Sequence, residues 1–162
     1  MPGSHRLAVH TSGDRDIIIT RNFDAKRTQV FAALTVPEHL KRWLLGPTGW
    51  EMYRCDIDLK KGGHYRFCWR RNSDGNELSM GGSYVEIDPP YTLIATEKFE
   101  KLWYPGEALI TQTLSKRDNK SSLHMTMSYE SREARDLVLK SEMATGLEQS
   151  YQKLDDLLLA FE

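Results

Sequence analysis

Tyr65, Phe67 and Trp69 occupy alternate positions of HYRFCWRR (64–71), so in a pleated strand their rings share one face, while His64, Arg66, Cys68 and Arg70 take the other. The preceding strand, WEMYRCDIDL, runs to Leu59, and KKGG (60–63) reads as the loop between them. With that loop Tyr65 faces Asp58, Phe67 faces Asp56 and Trp69 faces Arg54. One face then carries Arg54, Asp56 and Asp58 beside three rings. A buried charge is costly unless it is paired, whereas ligand cavities combine apolar rings with a few orienting polar groups. The rings therefore read as cavity wall. For Arg54 and Asp56 two readings stay open: orienting a ligand, or forming ion pairs at a solvated margin. The same register sets Cys55 opposite Cys68, within disulfide reach, although a reducing compartment keeps such thiols reduced.

Other side chains offer less chemistry. His5, His10, His39, His64 and His124 show no ligand spacing, and the two cysteines do not make a zinc site, so no metal and no cofactor is expected. No G-x-S-x-G elbow occurs, and neither cysteine has an identifiable base. As a general acid or base, Glu97 or Asp56 would serve only if desolvation raised its pKa. Gly62 and Gly63 supply turn geometry rather than a phosphate cradle, because no helix follows them. In KLWYPGE (101–107), Leu102, Trp103 and Tyr104 either gate a pocket or fold back as a lid on the core. Met143 and Leu147 start the apolar stripe of the last helix, and Gly146 inside that stripe marks close packing or room for a ligand.

The elements that must position these residues follow from periodicity. DIIITRNF (16–23) is a first strand, preceded by a loose tail over residues 1–15. Two short helices follow, one with Val30, Phe31 and Leu34 and one with Leu40, Trp43 and Leu44 at helical spacing. Six strands joined by short turns then fill 50–130. The segment 131–162 repeats Met143, Leu147, Tyr151, Leu154, Leu158 and Phe161 every three or four residues, giving one long helix with a kink or restart near Ser141. Strands followed by a helix, without βαβ alternation, define an α+β domain over 16–162: a curved seven-stranded antiparallel sheet wrapped around the C-terminal helix.

Composition narrows the partners. Lys and Arg number 22 against 23 Asp and Glu, without a basic block, so nucleic acid is not expected. Apolar runs are too short for a membrane span and the N-terminal stretch too polar for a signal peptide, which leaves the cytoplasm as the default. The oligomeric state, monomer or dimer, is left open.

DLKKGGHYRF and GGSYVEIDPPYTLIAT, together with FDAKRTQVFAALTVPEHLKRWL and MATGLEQSYQKLDDLL, resemble the hairpin, strand pair and flanking helices of the activator of heat-shock protein 90 ATPase homologue-like family, a branch of the START-like, polyketide cyclase-related superfamily. The resemblance covers roughly 16–161 and implies the helix-grip fold, with a cavity between sheet and C-terminal helix. On that basis the expected function is binding of a small, largely apolar molecule. Tyr65, Phe67, Trp69, Trp103, Met143 and Leu147 would line the cavity, and Arg54, Asp56 or Glu97 would orient the ligand's polar end. Two alternatives accompany it: a co-chaperone-like module that stimulates the heat-shock protein 90 ATPase, and a cyclase- or hydrolase-type enzyme.

Overall fold

The β-branched run in Asp16–Phe23 forms the expected strand, yet it lies inside the sheet rather than at its edge. The computed structural model describes residues 5–161. The chain runs β1 (Ala8–Ser12), β2 (Asp16–Phe23), α1 (Arg27–Thr35), α2 (Pro37–Trp43), β3 (Trp50–Ile57) and β4 (His64–Arg71). It continues β5 (Glu77–Asp88), β6 (Thr92–Phe99), β7 (Ala108–Arg117), β8 (Lys120–Ser128), α3 (Arg132–Lys140) and α4 (Met143–Leu159). All strands join one antiparallel sheet in the order β1-β2-β8-β7-β6-β5-β4-β3.

The sheet therefore has eight strands, not seven. The additional one, β1, falls in the segment read as a loose tail, and it pairs with β2 from Ala8 opposite Thr20 to Ser12 opposite Asp16. Its sequence, AVHTS, hides it. An edge strand needs backbone partners on one side only and no apolar stripe, so periodicity carries little signal there. Residues 1–4 and 162 of the expected tail and last helix lie outside the described residues.

The first hairpin corrects the expected register. Ile57 faces Tyr65, Cys55 faces Phe67 and Met52 faces Trp69, with an irregularity between Met52 and Arg54. Asp58 stands opposite His64 and its amide donates to the His64 carbonyl at 2.9 Å, so the loop holds five residues, 59–63, one more than expected. A shift of one residue turns every side chain of a strand to the opposite face. The rings consequently lie beside Met52, Cys55 and Ile57, and Arg54 and Asp56 point outward. Cys55 and Cys68 lie on opposite faces as free thiols, so the expected juxtaposition does not occur.

The C-terminal segment restarts at Ser141, as its pattern predicts. Ser131 caps α3 by accepting from the Ala134 amide at 3.1 Å, and Ser141 both donates to the Val138 carbonyl and accepts from the Met143 amide. α4 buries Tyr151, Leu154, Leu157 and Leu158 against the sheet. Gly146 lets this helix approach Pro47, where an added Cβ would lie 3.0 Å from Cδ. The other anchor is polar. Arg21, on the same strand face as Ile17, Ile19 and Phe23, is 1% exposed and grips Asp155 with two hydrogen bonds of 2.7 and 2.8 Å. Glu148 stands 3.6 Å from it and accepts from the Leu7 amide at 2.6 Å, which links β1, β2 and α4.

Candidate functional site

Alternation along five strands gathers one inward face, to which β5 adds Met80 and Tyr84. β4 supplies Tyr65, Phe67 and Trp69; β6 supplies Leu93, Ala95, Glu97 and Phe99; β7 supplies Ile110 and Gln112; and β8 supplies Met125 and Met127. Tyr129 continues the β8 row by one more alternate position. Opposite stand Trp43 of α2 and Met143, Leu147 and Tyr151 of α4, and the β6–β7 loop adds Trp103 and Tyr104. Between the two layers lies a cavity of about 230 Å³. Seven residues expected from the sequence, Tyr65, Phe67, Trp69, Glu97, Trp103, Met143 and Leu147, all line it.

The rings are held rather than merely stacked. Trp69 Nε1 donates to the Leu44 carbonyl at 2.7 Å, fastening β4 to the segment after α2. Tyr65 pairs with Gly82 of β5, and its hydroxyl reaches past that strand to the Thr96 carbonyl on β6 at 2.6 Å. A Cβ on Gly82 would overlap the same carbonyl oxygen, so this glycine leaves the place that the Tyr65 hydroxyl uses. Phe99, Trp103 and Tyr104 meet edge to face at 5.0–6.0 Å. Trp103 thus folds back over the mouth of the cavity while staying partly exposed, and Leu102 remains outside.

Polar groups converge at one end. The Tyr104 hydroxyl donates to Glu97 Oε2 at a long 3.4 Å, and the Tyr104 and Tyr129 rings meet edge to face at 5.2 Å. The Tyr129 hydroxyl is buried without a hydrogen-bond partner among the described residues. Desolvation raises the Glu97 carboxyl to about 7, only partly offset by the Tyr104 hydrogen bond. Burial likewise pushes Tyr65, Tyr104 and Tyr129 upward, with the Glu97 charge as a further cause in each. Among the described residues, the lining holds one carboxylate and no lysine, arginine or histidine.

Arg54 and Asp56 take no part. They pair with each other at 2.6 Å with side chains 55% and 54% exposed, on the outer face to which the register assigns them. Cys55 faces inward beside Phe67, and burial pushes its thiol up to about 12, far from a reactive thiolate. Among the described residues, no group of three or more His, Cys, Asp or Glu gathers as a metal site, and no helix is long and apolar enough to cross a membrane. The strand-face reading missed Tyr84, Gln112, Tyr129 and Tyr151. Tyr129 was within reach of it, because Leu123, Met125, Met127 and Tyr129 form one alternating row.

Residues 24–159 match the family model described as activator of Hsp90 ATPase homolog 1-like protein. A crystal structure of a Rhodobacter sphaeroides protein is similar at 33% identity, with TM-score 0.89, 96% of this chain and 99% of that chain covered. Protein Ms6760 from Mycobacterium smegmatis shares the fold at 22% identity and TM-score 0.82, covering 94% of this chain and 96% of that one. Protein NE0264 from Nitrosomonas europaea does so at 21% identity and TM-score 0.81, covering 94% and 99%. Among curated proteins, none matches the chain.

Proposed function

The chain belongs to the activator of Hsp90 ATPase homolog 1-like family, and from that premise we propose that it binds one small, largely apolar molecule between the sheet and α4. The observation that carries the reading is the cavity of about 230 Å³, walled by rings, with Glu97 as the one carboxylate in its lining among the described residues. Its volume lies below the ~300–1,000 Å³ of sites for drug-sized ligands, which favours a molecule of one ring or a short chain. The Tyr129 hydroxyl, buried and unpartnered, supports a ligand that brings it a hydrogen bond.

The test is thermal unfolding against a panel of small aromatic and aliphatic compounds. A ligand that binds only the folded state must raise the midpoint, by about 2.7 kcal/mol of stabilisation at a hundred times Kd. A panel without a single shift would count against the proposal.

A second reading, proton transfer on the bound molecule, draws on the Glu97 carboxyl near 7, where it accepts and returns protons at neutral pH. Exchange of deuterium into an enolisable ketone, lost in Glu97→Gln, would support it. The chaperone-directed reading rests on the family description alone, and an Hsp90 ATPase assay with the purified chain tests it directly.

A further inference from the structure

The polar end of the cavity has a definite electrostatic character. Glu97 sits within a ring-lined wall, receives one long hydrogen bond from Tyr104, and has no cationic side chain in the same lining. Elsewhere the protein handles a buried charge differently: Arg21 receives a bidentate carboxylate and a second carboxylate nearby. From this contrast we infer that the cavity takes a small aromatic amine, whose ammonium group pairs with Glu97 while ring faces and the Tyr129 oxygen complete its surroundings. The inference rests on the cavity-binding proposal and deepens it by naming the ligand class.

Each property of the site favours that class. An ammonium ion is attracted to aromatic faces within about 6 Å, and Phe99, Trp103, Tyr104 and Tyr129 cluster around the carboxylate end. Its hydrogens need acceptors, and Glu97 has an oxygen free of any hydrogen bond while the Tyr129 oxygen has no partner. A ligand carboxylate would meet Glu97 as a like charge with no compensating cation. A neutral ligand gives the carboxylate no counter-charge, so Glu97 would hold it in the protonated form. The volume accommodates one ring and a short tether.

Binding of the ammonium requires the ionised carboxylate, so proton and amine compete for Glu97. The titratable groups facing it are Tyr65 from β4, Tyr104 from the β6–β7 loop and Tyr129 after β8; α4 adds Tyr151 to the shared lining, and the exposed Glu107 acts on Tyr65 and Tyr104 from outside that lining. The tyrosines, all raised, stay neutral through this range. Amine affinity should therefore rise as pH increases through about 7, by about tenfold from pH 6 to pH 8.

Calorimetry on the full chain with phenethylamine, phenethyl alcohol and phenylacetate separates the possibilities, since the three share a ring and differ in the charge of the end group. The expected result at about pH 8 is phenethylamine tighter than the alcohol by about tenfold, with phenylacetate weakest. That advantage should vanish at about pH 6 and in Glu97→Gln, in which the alcohol still binds. If the alcohol matches the amine, or phenylacetate binds best, the amine inference is overturned and the cavity proposal stands. If none of the three binds, both fall. The pH comparison uses the unaltered protein, so it decides the question even if Glu97→Gln does not fold.

Discussion

Arg21 on β2 and Glu97 on β6 are both charged side chains withdrawn into the fold, and the protein gives one a paired counter-charge and the other none among the described residues. Arg21 lies between sheet and helix with Asp155 in bidentate contact, Glu148 close by and the Phe23 ring 4.9 Å from its guanidinium carbon. Glu97 lies beside the cavity with one long hydrogen bond and a neighbouring hydroxyl that has no partner among the described residues. A charge whose partners are supplied by the chain is architecture: it pins α4 in place. A charge without a paired counter-charge is poorly explained by stability, because desolvation penalises it, and the proposed ligand would supply its counterpart.

The contrast can be broken most forcefully at Arg21. Arg21→Met should cost about 3 kcal/mol in urea unfolding, because it strands two carboxylates that α4 presents to the sheet. A loss below about 1 kcal/mol would mean that the clasp is ornamental and the two regions do not differ.

Glu97→Gln should move stability the other way. The folded-state pKa of Glu97 is raised from its ordinary 4.5 to about 7, so the native state holds a proton that the unfolded chain has released. The Glu97 contribution to stability is therefore fully present below about 4.5, declines as pH rises, and is lost above about 7. At pH 8 the glutamine variant should be more stable than the parent by about 2 kcal/mol, with no difference near pH 4. Equal stability at both pH values would show that the carboxylate is solvated or paired after all.

Tyr129→Phe sharpens the comparison on a smaller scale. Deleting a buried hydroxyl that has no partner should raise the urea midpoint, equivalent to about 1 kcal/mol, while weakening ligand binding. A loss of similar size would reveal a hydrogen bond within the protein. Asp56→Ala, on the outer face, should alter stability by less than about 0.5 kcal/mol and leave ligand affinity unchanged.

The ring row and the helix stripe were legible because alternation and the helical period survive any local irregularity. Tyr65, Phe67 and Trp69 share a face whichever partner strand stands beside them, and Tyr151, Leu154 and Leu158 bury themselves as their spacing requires. Relations between strands were less legible. One additional loop residue, Leu59, decides whether Arg54 or Cys55 faces inward, the irregularity at Tyr53 returns Met52 to the inner face, and neither has a sequence signature as strong as Gly62-Gly63. β1 escaped because Val9 is its single large apolar side chain. Glu97 could be nominated from its strand position, but the absence of any cation around it is a property of the assembled lining and has no trace along the chain.

Gly82 has a consequence for redesign. With Tyr65 reaching across it to Thr96, the β4–β5 side of the cavity has one solution: a larger residue at 82 collides with backbone, and a shorter ring at 65 gives up the Thr96 hydrogen bond. That wall cannot be resculpted one substitution at a time. Ala95, Met125, Met127 and Leu147 are among the lining side chains with no such ties, and reshaping of the cavity is easier there.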